Sequence, residues 1–383
     1  MGRNHQSSQG HAESTDANAG TPLRLGIIGF GRLAQNYYVP AFRRLSQGQV
    51  VAIADPLPVR QAAARAWFPH SRVYQTYQDL FAQEQLQGIL VASPPSTHLA
   101  IWNDACQLHL PVFMEKPFVL PGELKRVIYP KTTQQLMMVN FNRRFWPVYQ
   151  QLAQSVRHEC IGKVQAAEFM LTINPQAWGA MTPYRLSVQE GGVLYDLGSH
   201  VFDLIWTLLG EAPVWITAAM SRQQGGVYAM QLRLDFASAV TVHATLAYQK
   251  WPRERIIVYG SQGRLHLHDP NMTMHLIRQP SLRQRLLAFC RDGMMLGYRA
   301  LRRDHSLLRY TIRAAIASFI ASLRQNKAFS PGFAEAVQNS LWLEAAFQSF
   351  MERRAVGVAA TVPSLPGSES RQTAPTQNCH DWS

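Results

Sequence analysis

Apolar residues open the chain in short unbroken runs: LRLGII at 23–28, VVAIA at 50–54, GILVA at 88–92 and PVFM at 111–114. Runs of this length, bounded by Gly, Pro and polar residues, predict strands buried on both faces, the signature of a parallel sheet. Beyond position 210 the pattern changes to alternation. VWITAAM, VYAMQLRLDF, AVTVHATLAY, ERIIVYG and GRLHLHD read as half-buried antiparallel strands, with Gly260-Ser261-Gln262-Gly263 as the turn between the last two. Between the two regions lies GGVLYDLGSHVFDLIWTLLG, residues 191–210, where Val193, Leu197, Val201, Leu204, Ile205 and Leu208 recur at helical spacing and Gly210 stands where a helix ends. The fold class is α/β: a doubly wound parallel sheet first, then a run of half-buried antiparallel strands.

The first strand runs into Gly29-Phe30-Gly31-Arg32-Leu33-Ala34 and then a helical pattern, a GxGxxA turn in strand-turn-helix context. Gly29 permits the tight turn, Gly31 lets the backbone approach a pyrophosphate, and Ala34 allows close helix-to-strand packing. The free N–H groups of the next helix then face the phosphates. The second strand closes on Asp55, placed to accept hydrogen bonds from the adenosine ribose hydroxyls and to repel a 2′-phosphate, which favours NAD over NADP. Two further strands end in Ser93-Pro94-Pro95, with His98 beyond, and in Glu115-Lys116-Pro117. In an open parallel sheet, ligands bind outside these carboxyl ends.

In the 191–210 helix, Asp196, His200 and Asp203 are spaced by four and three, which predicts one polar stripe on a buried element. Such a stripe fits either a satisfied core cluster or a catalytic one. GFGRLA, Asp55, ASPPSTH, EKP, the NFNRRF of 140–145 and GGVLYDLGSH together resemble the Gfo/Idh/MocA family of oxidoreductases, over residues 22–270 and again 315–356. The resemblance implies a Rossmann domain over 22–140 and, over 141–362, an α/β substrate and oligomerisation domain with an open, mainly antiparallel sheet. It also implies a sheet face that forms homodimers or homotetramers, and catalytic Lys116, Asp196 and His200.

Oxidation of a secondary alcohol passes a hydride to the nicotinamide while a base takes the hydroxyl proton. His200 is the candidate base, Asp196 orients it or holds a neighbouring hydroxyl, and Lys116 stabilises developing alkoxide charge. Tyr184 and Arg185 are candidates to line the substrate site with these three. The expected cofactor contacts are Gly29, Phe30, Gly31, Arg32, Leu33, Ala34, Asp55, Ser93, Pro94, His98, Glu115 and Lys116. The substrate class is a polyol, sugar, cyclitol or nucleotide sugar. A dinucleotide-binding interaction module with little turnover, and a carbonyl or double-bond reductase, are the competing functions. Intact Lys116, Asp196 and His200 favour the dehydrogenase. His266 and His268, two apart on one strand, lack a third metal ligand and read as an exposed edge; the mechanism needs no metal.

With 383 residues, 47% of them hydrophobic, the chain can hold two cores. Cys106, Cys160, Cys290 and Cys379 show neither disulfide nor zinc spacing, which reads as free thiols in a reducing, cytoplasmic setting. Residues 1–21 lack the apolar segment of a secretory signal and, with 363–383, read as disordered tails. The net charge of +13 is local: residues 271–325 hold ten arginines against Asp292 and Asp304. This surplus falls mostly on 271–314, where the resemblance lapses and basic helices are expected. Three uses compete for that insertion: a solvated cap over the active site, contact with an anionic membrane or a lipid-linked or phosphorylated sugar, and nucleic-acid binding, which no helix-turn-helix, RRM or zinc signature supports.

Overall fold

A computed structural model describes residues 20–130, 136–178, 185, 187, 191–222, 228–251, 253–268, 273–277 and 306–358. The first sheet contains β1 (Leu23–Ile28), β2 (Gly48–Ala54), β3 (Arg72–Tyr74), β4 (Gly88–Val91), β5 (Val112–Met114) and β6 (Met137–Val139). Its order is β3-β2-β1-β4-β5-β6 and every pairing is parallel. Helices α1 (Val39–Phe42), α2 (Pro58–Trp67), α3 (Tyr77–Gln83) and α4 (His98–Gln107) lie in its connections. Register fixes the functional edge. Ile28 pairs with Ala54 and Val91, Val91 with Met114, and Met114 with Val139. All the strands therefore stop in line, and the residues that follow them, Gly29, Asp55, Glu115 and Asn140 among them, share one rim.

The second sheet is mixed. It is built from β7 (Val164–Ile173), β8 (Pro213–Arg222), β9 (Tyr228–Phe236), β10 (Thr241–Tyr248), β11 (Glu254–Gly260), β12 (Gly263–His268), β13 (Thr273–Ile277) and β14 (Val356–Gly357), in the order β13-β12-β11-β7-β10-β9-β8-β14. Only β7 and β10 pair in parallel. One face packs on α5 (Pro147–Arg157) and α6 (Ser199–Leu209), whose Val201, Phe202 and Ile205 are buried with Leu232, Leu234 and Val242 of the sheet. Strand β13 pairs beyond β12, so the strand carrying His266 and His268 is not the sheet edge expected from sequence. The first described residues of the basic insertion thus form a strand rather than a helix, and residues 278–305 lie outside the described set, as do both tails apart from Gly20 and Thr21.

The last two long helices tie the sheets together. Helix α7 (Ser306–Gln325) has Ile312, Ile316, Phe319 and Ile320 spaced on one face, and they pack into the core around β1 and β5; Phe319 meets Phe113 at 5.7 Å and Phe329 at 5.0 Å between ring centroids. Helix α8 (Phe333–Glu352) buries Phe333, Ala336 and Val337 against the first sheet's core, and Trp342, Leu343 and Ala346 against the second. These helices, grouped by sequence with the second domain, are therefore shared with the first, because an apolar face follows whichever core it completes. Among the described residues no helix is long and apolar enough to cross a membrane.

Candidate active site

The glycine turn is shaped by sterics. Gly29 has φ +88°, and a Cβ there would lie 2.6 Å from the Ser93 backbone nitrogen, so β1 and β4 can part at this point only around a glycine. A Cβ on Gly31 would meet only the Arg60 guanidinium, at 3.8 Å, which leaves a backbone open to a ligand. Phe30 and Ala34 are fully buried, Leu33 is half-buried and Arg32 exposed. The helical segment that follows contains a π-type turn over Ala34–Tyr38. Asp55, 1% exposed, accepts from the Phe30 N–H at 2.8 Å and the Leu57 N–H at 3.0 Å.

At the next strand end, the Ser93 and Thr97 hydroxyls are 2.6 Å apart and Pro94 is exposed. His98 has no exposure: Nδ1 faces the Pro117 carbonyl at 2.8 Å and Nε2 the Ser93 carbonyl at 3.1 Å. It therefore ties the two loops together through their backbone carbonyls. Burial lowers its pKa. Glu115 is likewise internal. Its Oε1 accepts from the Tyr38 hydroxyl at 2.8 Å and the Asn140 amide at 2.7 Å, and burial raises its pKa. The Lys116–Pro117 bond is cis.

Lys116 reaches across to the second domain. Its Nζ donates to the Asp196 carbonyl at 2.7 Å and to Asp196 Oδ1 at 2.9 Å. Arg185 Nε lies 2.9 Å from Oδ2 of the same carboxylate, and the Tyr248 hydroxyl donates to that oxygen at 3.1 Å. Burial opposes the Asp196 charge, but Lys116 and Arg185 outweigh it and hold the carboxyl well below its usual range. Burial lowers the Lys116 pKa against the pull of Asp196.

His200, 8% exposed, stands one turn on, and its Nδ1 has no hydrogen-bond partner among the described residues. Burial, and then the charges of Lys116, Arg143 and Arg185, keep its pKa well below the ordinary value, so the ring is neutral. The expected single stripe is in fact three environments, because a π-turn over Leu194–Gly198 precedes α6 and shifts the helical phase. Asp196 serves Lys116 and Arg185 rather than the His200 ring. Asp203 pairs with Arg144 at 2.6 Å, and Arg144 also meets Glu335 at 3.4 Å. Arg143 makes a bidentate pair with Glu254, at 3.0 and 3.1 Å, and Tyr149 donates to the same carboxylate.

Tyr38, Tyr248 and Glu254 carry no motif; only their placement at element ends, visible after folding, brings them to the site. Tyr184 lies outside the described residues. Among the described residues no group of three or more His, Cys, Asp or Glu is arranged for a metal.

A parallel sheet whose strand ends carry a glycine turn, joined through a lysine to the helix of a second sheet, defines a two-domain dinucleotide-dependent oxidoreductase. The chain belongs to the Gfo/Idh/MocA family: residues 23–141 match its oxidoreductase NAD-binding Rossmann fold, and residues 149–266 match its C-terminal domain. Inositol 2-dehydrogenase of Rhizobium meliloti strain 1021 is 25% identical over 342 residues, which cover 88% of this chain and 99% of that protein. Among solved structures, an oxidoreductase from Agrobacterium radiobacter in complex with NAD+, L-tartaric acid and magnesium superposes with a TM-score of 0.70 at 21% identity, over 88% of this chain and 98% of that one. Myo-inositol 2-dehydrogenase from Lactobacillus plantarum gives 0.70 at 19% identity, over 88% and 100%.

Proposed function

We propose that the chain moves a hydride between NAD and a secondary alcohol or ketone of a cyclitol, sugar or nucleotide sugar. The observation that carries this reading is the Lys116–Asp196 contact at 2.9 Å, which fixes an ammonium at the rim of the first sheet beside a neutral, buried imidazole. The residues present fit the dinucleotide: the Gly29 turn excludes any side chain, and Gly31 leaves its backbone uncovered. Gly29, Phe30, Gly31, Arg32, Leu33 and Ala34 would hold the pyrophosphate, with Asp55 at the adenosine end and Ser93, Pro94, Glu115 and Lys116 toward the nicotinamide. Bound there, NAD supplies the hydride acceptor.

Protein groups supply placement and charge. The ammonium has three donors. Two go to the Asp196 carbonyl and carboxylate, so one is left to bind the substrate oxygen and stabilise its alkoxide character. His200 takes the hydroxyl proton on its imidazole. Arg185, next to Asp196, lines the same site and can hold a neighbouring hydroxyl. The inositol dehydrogenases among the relatives support a polyhydroxylated ring as substrate. A screen of inositols, aldoses and UDP-sugars for NADH absorbance tests the proposal. Turnover of at least one such compound is expected, and none across the panel with bound NAD would overturn it.

A further inference from the structure

One side of the first domain is basic, with almost no carboxylate to offset it. Residues 29–78 hold six arginines and a single acidic residue, Asp55, which is 1% exposed. Residues 306–332, which form α7 and the loop to α8, hold three arginines, a lysine and no acidic residue. The ends of α1 and α2 and the first turns of α7 meet over one core: the Phe42 and Phe68 rings lie 6.5 Å apart, and Leu45 and Leu308 pack on the same cluster. Arg309 stands near enough to Tyr37, on the turn before α1, to oppose the rise that burial gives its pKa. Arg43, Arg44 and Arg309 are exposed and Arg313 is half-buried, and none of the four pairs with a carboxylate among the described residues. Two of them lie over aromatic rings instead: Arg43 is 4.7 Å from the Trp67 ring centroid and Arg313 is 5.9 Å from that of Tyr310. Trp67 and Tyr310 are each 44% exposed. The segment that leads into α7, residues 278–305, carries seven arginines against Asp292 and Asp304, so its sequence supplies no carboxylate excess to neutralise the face.

Unpaired guanidinium groups beside half-exposed Trp and Tyr suit the headgroup layer of a bilayer. Anionic phosphates there meet the arginines, and the ring bodies reach the acyl boundary while the indole N–H and the phenol hydroxyl stay wet. A nucleic-acid strand needs ring faces free for stacking, and a guanidinium already covers one face of each ring. We propose that this face docks the protein on an anionic bilayer surface, with Trp67 and Tyr310 as interfacial anchors and Arg43, Arg44, Arg309 and Arg313 as headgroup contacts.

Sedimentation of the full chain with vesicles of phosphatidylcholine alone, or of phosphatidylcholine mixed with phosphatidylglycerol, tests it. The protein should bind the mixed vesicles at low salt, leave them at high salt, and ignore the neutral ones. An arginine near such a surface contributes about fivefold in partitioning, so Arg43→Gln/Arg44→Gln and Arg309→Gln/Arg313→Gln should each lower binding by at least about tenfold. Arg43→Lys/Arg44→Lys keeps the charge and should retain most of it. Trp67→Ser should weaken binding without changing its salt dependence. NADH affinity should stay at the parent level in every variant, since none touches the glycine turn. Absence of vesicle binding at low salt, equal binding to neutral vesicles, a Trp67→Ser variant that binds like the parent, or a loss seen only in Arg283→Gln/Arg285→Gln would each overturn the proposal. Binding to single-stranded RNA with none to vesicles would overturn it as well.

Discussion

Replacing Lys116 by Met removes the ammonium while keeping most of the stem's volume. The local cost can be judged from the partners left behind. Asp196 keeps Arg185 at 2.9 Å and Tyr248 at 3.1 Å, so its buried carboxylate is not orphaned. Loss of the two Lys116 bonds should therefore cost about 1–3 kcal/mol, rather than the roughly 3–5 kcal/mol of a buried pair broken outright. The effect on chemistry should be larger in proportion. Loss of a charged donor to a developing oxyanion typically lowers kcat by about 10²–10³, or roughly 3–4 kcal/mol of transition-state stabilisation. Steady-state kinetics with the substrate found in the screen, read beside NADH fluorescence titration and thermal unfolding, separates these terms. The expected result is a large fall in kcat, a folded protein, and NADH affinity within about threefold of the parent. A fall below tenfold, or loss of nucleotide binding with chemistry retained in the bound fraction, would refute the assignment of Lys116 to the reacting oxygen.

His200→Ala should cut kcat by a factor of about a hundred with the cofactor still bound, and a loss under fivefold would remove His200 from proton transfer. Since the folded ring stays neutral well below its ordinary pKa near 6.5, kcat/KM should not decline between pH 8 and 6.5. The same shift makes the unfolded state the better proton binder, so stability should fall as pH drops below about 6.5; denaturant titrations that show this group contributing the opposite slope in the parent against His200→Gln would contradict the burial argument. Gly29→Ala forces a positive φ on a side chain pointed at the Ser93 nitrogen, and should abolish NADH binding measured by fluorescence. Phe319→Ala, at a site with no exposure, should destabilise the protein by about 3–5 kcal/mol in urea unfolding; a cost under 1 kcal/mol would mean that α7 does not complete the first core.

The parallel sheet and its rim were legible because buried strands read as continuous apolar runs, and the residues following each run must lie at the ligand-binding edge. Lys116 and Gly29 were found in this way. The motif helix was legible as an element but not in its phase. Spacings of four and three assume an α-helix throughout, and the π-turn at Leu194–Gly198 sends Asp196 to Lys116 and Asp203 to Arg144. Asp55 was found from its position after β2, yet its hydrogen bonds to Phe30 and Leu57 depend on side-chain rotamers that spacing does not encode. Tyr248 and Glu254 sit at strand ends of the second sheet, and the pairing of β7 with both β10 and β11 sets them side by side, Tyr248 against Asp196 and Glu254 against Arg143. Helix α7 shows the limit of reading domains linearly: its apolar face suits either core, and tertiary contact chooses the first.

Asp196 is the joint on which the two domains meet chemically. It lies on an element of the second sheet's core, yet its carboxylate is held by a lysine from the rim of the first and by Arg185 from the intervening segment. Neither domain alone would place an ammonium, a neutral imidazole and an open glycine turn together. A buried carboxylate is costly without a cation beside it, and both cations that meet Asp196 come from outside the helix that carries it. The cations that hold Asp196 ionised against burial also add to burial in keeping His200 unprotonated, so the proposed oxygen-binding ammonium and the proposed proton acceptor share one charge cluster.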